Sequence, residues 1–351
     1  MLRLNLSMYP PRWLCRLGGF FLKKGYNKKS LLNKKIKNII MKILVSGSLA
    51  YDKIMNFSGK FAEHILPGKI HVLNVSFPVD DLKQNFGGTA GNIAYNLKLL
   101  GEEPIIFASA GNDFDVYAKW LKKHNIDFSG IKIIKNQTTA CAHIITDKSD
   151  NQITGFHFGA MQSSAGSIPD KLIKETKLAI ISPGNIGDMV NYSKQCREKG
   201  LDYIFDPGQA IPAFSGQQLK KSISGAKVFI VNDYEMSLTL KKIAWDKKQL
   251  KKKVEIIITT LGDKGSVIED KGKIIRILTA KPKNISDPTG AGDAYRAGLI
   301  KGLANNWDLK KAGQLAATVS AYTVEKYGTQ THSFSLKQLA KRFKDNFNEE
   351  L

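Results

Sequence analysis

Ile285-Ser286-Asp287-Pro288-Thr289-Gly290-Ala291-Gly292-Asp293-Ala294-Tyr295-Arg296-Ala297-Gly298 decides the reading of this 351-residue chain. A proline and two closely spaced glycines precede a segment of helical composition, which predicts a tight turn opening a helix. Such a turn presents backbone N–H groups at the positive end of the helix dipole, where phosphate binds. An acid at that place is repelled by a bound anion unless it has chemical work to do. The dipole favours its ionised form. An ionised Asp293 beside a γ-phosphate can accept the proton of an attacking hydroxyl, while the amides of Gly290, Ala291 and Gly292 stabilise the transferring group. Alone, the same residues would read as an acid capping a helix after a glycine turn, so the rest of the chain has to choose between the two.

Working outward, a second glycine turn lies in Asn85-Phe86-Gly87-Gly88-Thr89-Ala90-Gly91-Asn92, again before a helical segment that stops at Gly101. Two glycines let a ligand approach bare backbone, and Asn92 offers both a donor and an acceptor to hydroxyls. A third signal is Ser46-Gly47-Ser48-Leu49-Ala50-Tyr51-Asp52, directly after the apolar run Ile43 to Val45. It puts an acid, Asp52, near the carboxyl end of a strand, where ligands of open α/β sheets bind; this carboxylate can clamp vicinal hydroxyls. Further apolar runs, Ile105 to Ala108, Ala179 to Ile181, Tyr203 to Phe205, Val228 to Val231 and Ile256 to Thr259, alternate with helical patterns such as Asp115 to Lys123 and Met189 to Lys199. That alternation predicts a mostly parallel sheet covered on both faces, a three-layer α/β/α sandwich. Residues 54–86 and 138–158 break it with strand-like patterns, including the alternating Lys69 to Val75, and are expected to form a small antiparallel lid. The lysine run Lys247 to Lys253 reads as a solvated helix face.

Gly87-Gly88 with Asn92, together with Asp287-Pro288-Thr289-Gly290-Ala291-Gly292-Asp293 about 200 residues later, resembles the paired signatures of the ribokinase-like (PfkB-type) carbohydrate kinases. The resemblance runs from Met41 to the C-terminus. It implies that Asp293 is the catalytic base, that Asp52, Gly87, Gly88 and Asn92 hold the acceptor, and that Asn232-Asp233-Tyr234-Glu235 organises Mg²⁺ and phosphates through Asn232 and Glu235. It also places Thr260, Gly262 and Gly265, in Thr260-Leu261-Gly262-Asp263-Lys264-Gly265, beside ATP, and Asp287 with the Thr289 carbonyl at a monovalent cation such as K⁺. Asp293-Ala294-Tyr295-Arg296, Phe156-His157-Phe158-Gly159-Ala160-Met161 and Asp206-Pro207-Gly208-Gln209 look most like the prokaryotic nucleoside (adenosine) kinase branch. The implied reaction is ATP-dependent phosphorylation of a nucleoside, adenosine first, at its 5′-hydroxyl. The alternatives are a kinase of free ribose or fructose and a non-catalytic small-molecule binder on the same scaffold. Ile70, Val72, Phe156 and Phe158 are candidate walls for a base, and Phe at alternate strand positions reads equally as ordinary core. No P-loop pattern is present.

Composition bounds the remaining classes. Three cysteines, Cys15, Cys141 and Cys196, have no paired or C-x-x-C spacing, which excludes a disulfide framework and implies a reducing, cytoplasmic compartment. The net charge of +22 is uneven: residues 1–40 hold ten Lys and Arg and no acid, leaving +12 for the rest. Three readings fit this leader: a misassigned start ahead of Met41, a targeting or membrane-surface segment, or a nucleic-acid tail. The catalytic reading of residues 41–351 calls for a small-molecule partner, no nucleic acid and no membrane span, as a monomer or homodimer.

Overall fold

A computed structural model describes residues 41–149 and 151–351; the expectations for the leader and for Cys15 fall outside the described residues. Thirteen strands form two sheets. The larger has nine strands in the order β13-β12-β11-β10-β9-β8-β1-β4-β5, namely Lys42–Ser46 (β1), Pro104–Gly111 (β4), Asp127–Ile134 (β5), Thr176–Ile181 (β8), Tyr203–Phe205 (β9), Val228–Asn232 (β10), Ile256–Thr260 (β11), Ser266–Asp270 (β12) and Lys273–Ile277 (β13). Neighbours from β5 to β11 pair in parallel, and β12 and β13 extend the edge antiparallel.

Strand β1, an interior strand flanked by β8 and β4, shows why this sequence makes three layers. In Lys-Ile-Leu-Val-Ser, successive side chains point to opposite faces, so Ile43 and Val45 enter one core and Leu44 the other, all fully buried. Each such side chain contributes about 1.5–3 kcal/mol by leaving water. The first core is closed by the helices Thr89–Leu99, Asp115–Lys123, Ala291–Ala304, Leu309–Val324 and Leu336–Phe347, and the second by Ile186–Lys199, Gly216–Ile223 and Asp233–Ile243. The family-defining helix Ala291–Ala304 lies flush on Leu309–Val324, since a Cβ at Gly298 would come within 2.6 Å of the Ala316 backbone and one at Gly302 within 2.4 Å of Ala312.

The smaller sheet, β3-β2-β6-β7, is built from Ala50–Phe57 (β2), Val79–Gly87 (β3), Ala140–Thr146 (β6) and Gln152–His157 (β7). It is mixed, because β2 pairs antiparallel with β3 but parallel with β6, where a wholly antiparallel flap was expected. A second correction concerns Lys69 to Val75. Its alternation is not a strand: Pro67–Val72 is a 3₁₀ turn, with Ile70 and Val72 mostly exposed. Pro67 supplies a helix-start φ and removes a donor, and neither alternate face finds a sheet to cover. The lysine run forms the short helix Lys247–Lys251 and the turn after it with its lysines exposed, as a solvated helix face requires, and Lys247 and Lys251 also bind Glu269, a buried acid of β12. No helix among the described residues is long and apolar enough to cross a membrane.

Candidate active site

The chain winds from β1 outward to β4 and β5, then returns to the other side of β1 for β8 through β11. Ligands of open α/β sheets bind beyond the carboxyl ends of strands at such a reversal. A cleft of 420 Å³ opens there, lined by Ser48 after β1, Pro183 after β8, Asp206 after β9 and Glu235 after β10. Asp52, Gly88, Asn92, Thr289, Gly290, Gly292 and Asp293 line it too. Gly87, Ala291, Asp287, Asn232, Thr260, Gly262 and Gly265 do not.

The helix Ala291–Ala304 begins at this cleft. Gly290 precedes it in the left-handed region (φ 79°) and no side chain caps it. The Ala291 amide donates to the Pro288 carbonyl at 3.2 Å, so of the three amides expected to face phosphate this one is already engaged. The N–H groups of Gly290, Gly292 and Asp293 find no acceptor among the described residues. Asp287 stiffens the turn from outside, its Oδ1 accepting from the Thr289 amide (2.9 Å) and its Oδ2 from the Gly328 amide (3.0 Å).

Asp293 Oδ2 accepts a hydrogen bond of 2.8 Å from Asn92 Nδ2, across the two signature motifs. Burial pushes its pKa up to about 6; the Arg296 guanidinium and the Asn92 donor pull against that rise, and the Asp206 charge adds to it. Arg296 is itself buried and grips Asp206 through Nε and through Nη2 (2.7 Å). Burial pushes the Asp206 carboxyl up while Arg296 holds it down. This ion pair, on the cleft floor, was invisible to motif reading beyond marking a branch, because its members are 90 residues apart.

The glycines at the other turn have a local cause. A Cβ on Gly87 would sit 2.5 Å from Asp52 Oδ2, and one on Gly88 2.5 Å from the Ser48 carbonyl. They make room for this chain's own groups. Asp52, on β2, has its pKa raised to about 6 by burial and then by the charge of Asp287. Asn232 and Glu235 form a reciprocal cap on the helix Asp233–Ile243: Asn232 Oδ1 accepts from the Glu235 amide (2.7 Å) and Glu235 Oε2 from the Asn232 amide (2.9 Å). The second oxygen of Glu235 has no hydrogen-bond partner among the described residues. Thr260 stands beside Asn232 in the β10–β11 register, and Gly262 (φ 61°) and Gly265 (φ 86°) shape the turn into β12. No cluster of three His, Cys, Asp or Glu suited to a metal occurs among the described residues.

From the lid side, Ala142, Ile144 and Phe156 line the cleft, with Met161 just beyond. Phe158 packs edge-on against Phe156, ring centres 5.1 Å apart, without lining it. Ile70 and Val72 are not among its walls. His157 meets only Thr138 Oγ1, at 3.5 Å. Cys141 and Cys196 are buried and unpaired.

Residues 51–335 match the model of the pfkB family carbohydrate kinases. A nucleoside kinase of Methanocaldococcus jannaschii is 32% identical over 296 residues, 83% of this chain and 93% of that protein. The structure of a Burkholderia thailandensis nucleoside kinase in complex with inosine superposes with a TM-score of 0.78 at 35% identity, covering 88% of this chain and 99% of that one. Its complex with ADP-inosine gives 0.76 at 36%, covering 88% and 97%. With a family match over most of its length and relatives of this likeness, the chain belongs to the pfkB family of carbohydrate kinases, a ribokinase-like, ATP-dependent phosphotransferase that acts on a hydroxyl.

Proposed function

We propose that this kinase transfers the γ-phosphoryl group of ATP to the 5′-hydroxyl of a nucleoside, with purine nucleosides, adenosine foremost, as acceptors. The observation that carries this reading is the cleft itself, which Asp293, Gly290 and Gly292, the last two with free amides, share with the apolar lid residues Ala142, Ile144 and Phe156. A free pentose has no use for that wall. A base stacked on an aromatic gains about 1–3 kcal/mol. The inosine-bound Burkholderia relative supports the choice of a purine.

Asp52, with Gly87 and Gly88 giving it room, holds the ribose hydroxyls from the lid side. Asp293 takes the 5′-hydroxyl proton as the oxygen attacks phosphorus and the bond to the ADP oxygen breaks. The amides of Gly290 and Gly292 donate to the equatorial oxygens at the positive helix end, and the Ala291 amide holds the turn in shape through Pro288. Asn232, Glu235, Thr260, Gly262 and Gly265 form the nucleotide side. Glu235 would orient the waters of a bound Mg²⁺, which would supply charge neutralisation to the transferring phosphoryl group. Asp287 and Thr289 would hold K⁺ against the outer side of the glycine turn.

The test is a panel of adenosine, inosine, guanosine, cytidine, ribose and fructose with Mg-ATP. Purine nucleosides should show the highest kcat/KM, roughly ten- to hundredfold above ribose if base stacking contributes as above. A better turnover of ribose or fructose would overturn the nucleoside reading.

A further inference from the structure

The side chain of Asn92 can present either its oxygen or its N–H to Asp293, and only the N–H supports an ionised base. What fixes that choice lies behind it. Asn92 Oδ1 accepts from Gln330 Nε2 (3.0 Å) and lies 2.8 Å from Thr329 Oγ1. The Gln330 amide is in turn held at both ends. Its Oε1 accepts from the Trp120 indole N–H (2.9 Å), and its Nε2 also donates to Tyr117 Oη (2.7 Å). Tyr117 spends its proton on the Gly87 carbonyl, at 2.8 Å. An indole N–H can only donate and a carbonyl can only accept. The two ends of the chain therefore leave one self-consistent direction for every amide between them. Gln330 is buried and all its polar atoms are used.

We infer that Trp120 and Gln330 are positioning residues for the base: the indole N–H orients the Gln330 amide, which orients Asn92, which aims an N–H at Asp293. This rests on the reading of Asp293 as the base. Neither residue lines the cleft, so each reaches the base through Asn92, the one member of the chain that touches Asp293. Phe86, on the lid strand β3, stacks on Trp120 with ring centres 5.0 Å apart, which ties the same anchor to the lid.

The decisive variant is Gln330→Glu, which keeps shape and the Trp120 bond but turns an acceptor toward Asn92 Oδ1 and reverses that amide. It should lower kcat roughly 10- to 100-fold, as expected for a misoriented catalytic group, with the acceptor KM changed little. Because the new carboxylate also adds charge, each variant is repeated in an Asn92→Ala background, where the further loss should shrink to less than about threefold, the size of a coupling that has been removed. Trp120→Phe, which is neutral and keeps the stacking ring, should cost roughly 3- to 10-fold, the worth of one hydrogen bond, and that loss should likewise vanish without Asn92. The carboxyl titration of Asp293, followed by infrared difference spectroscopy with Asp293→Asn as the blank, should move upward in both variants; Arg296 and Asp206, the charges that act on it, are kept in both, and Trp120→Phe adds no new charge. Equal losses with and without Asn92, or an effect on KM alone, would overturn the inference. Should the wild-type chain phosphorylate no nucleoside, the functional reading fails separately, and the titration still decides this one: no shift in Trp120→Phe refutes it.

Discussion

The helices Thr89–Leu99 and Ala291–Ala304 begin alike, each behind a glycine of positive φ, 86° at Gly88 and 79° at Gly290, a residue with no side chain to cap the helix itself. Their first amides end differently. The Thr89 and Ala90 amides donate to the side chain and carbonyl of Ser48, both at 3.0 Å, so two of the first three amides of the earlier helix, all but that of Gly91, are spent on this chain's own loop. At the later helix, the Gly292 and Asp293 amides have no partner among the described residues. A glycine turn opening a helix is thus an anion site only where its donors are left over. The earlier turn is a joint; the proposed function makes the later one a receptor for charge.

The sharpest way to break this division is at Asp293. Asp293→Asn should lower kcat by about 10² to 10⁴, the range for losing a general base, while the melting temperature stays level or rises, because burial disfavours the ionised form that the amide replaces. Near-normal turnover in a folded variant would take Asp293 out of the chemistry.

Next comes a pair of alanines. Gly88→Ala should damage folding, since a side chain in a glycine-only region costs about 1–3 kcal/mol and its Cβ would lie 2.5 Å from the Ser48 carbonyl. Gly292→Ala has helical backbone and meets only Arg296 Nη1, at 2.8 Å; its loss should fall on turnover, roughly tenfold or more, with the thermal midpoint little moved. Denaturant titration and steady-state kinetics on both variants would decide, and the reverse pattern would undo the distinction between joint and receptor.

The pH profile sharpens the comparison from the acceptor side. Asp293 and Asp52 both have pKa values raised to about 6, and each acts as the carboxylate, so activity is present above that value and lost as pH falls through it. With two groups protonating together, log(kcat/KM) should fall more steeply than one decade per pH unit. In Asp52→Ala the acceptor KM should rise and the slope should drop to one. A single-proton limb in the wild type would mean that only one of the two acids matters. The smallest effect is expected from K⁺ at Asp287, where stabilising one partly exposed carboxylate is worth at most about 1 kcal/mol, or roughly fivefold in rate. Assays with Tris salts as the ionic-strength control would show it.

Much of this was legible in the residues. Ile43 to Val45, Val228 to Val231 and Asp115 to Lys123 form the elements their patterns announce, because a fully buried strand and an amphipathic helix each need a local periodicity. The lid was legible as a lid but not as a mixed sheet, since β2 meets β6 in parallel only after β4 and β5 have been laid down between them. Within the site, the glycine turns and their acids are contiguous motifs. The Asp206–Arg296 pair and the Trp120–Gln330–Asn92 chain join residues 90, 210 and 238 positions apart, so nothing local signals them.

One strand of the lid carries a mechanical consequence. From Val79 to Gln84, β3 is exposed, whereas at its far end Gly87 is buried and Phe86 lies on Trp120. A strand so unevenly held frays from the loose end. Asp52 is paired with Asn85, two residues from the fixed end, so peeling can travel along most of β3 before the grip on the acceptor is touched. On the proposed function the lid would act as a zip fastened at the catalytic end: its outer teeth would part cheaply to admit or release a ligand, and the last ones would hold Asp52 in register with Asp293.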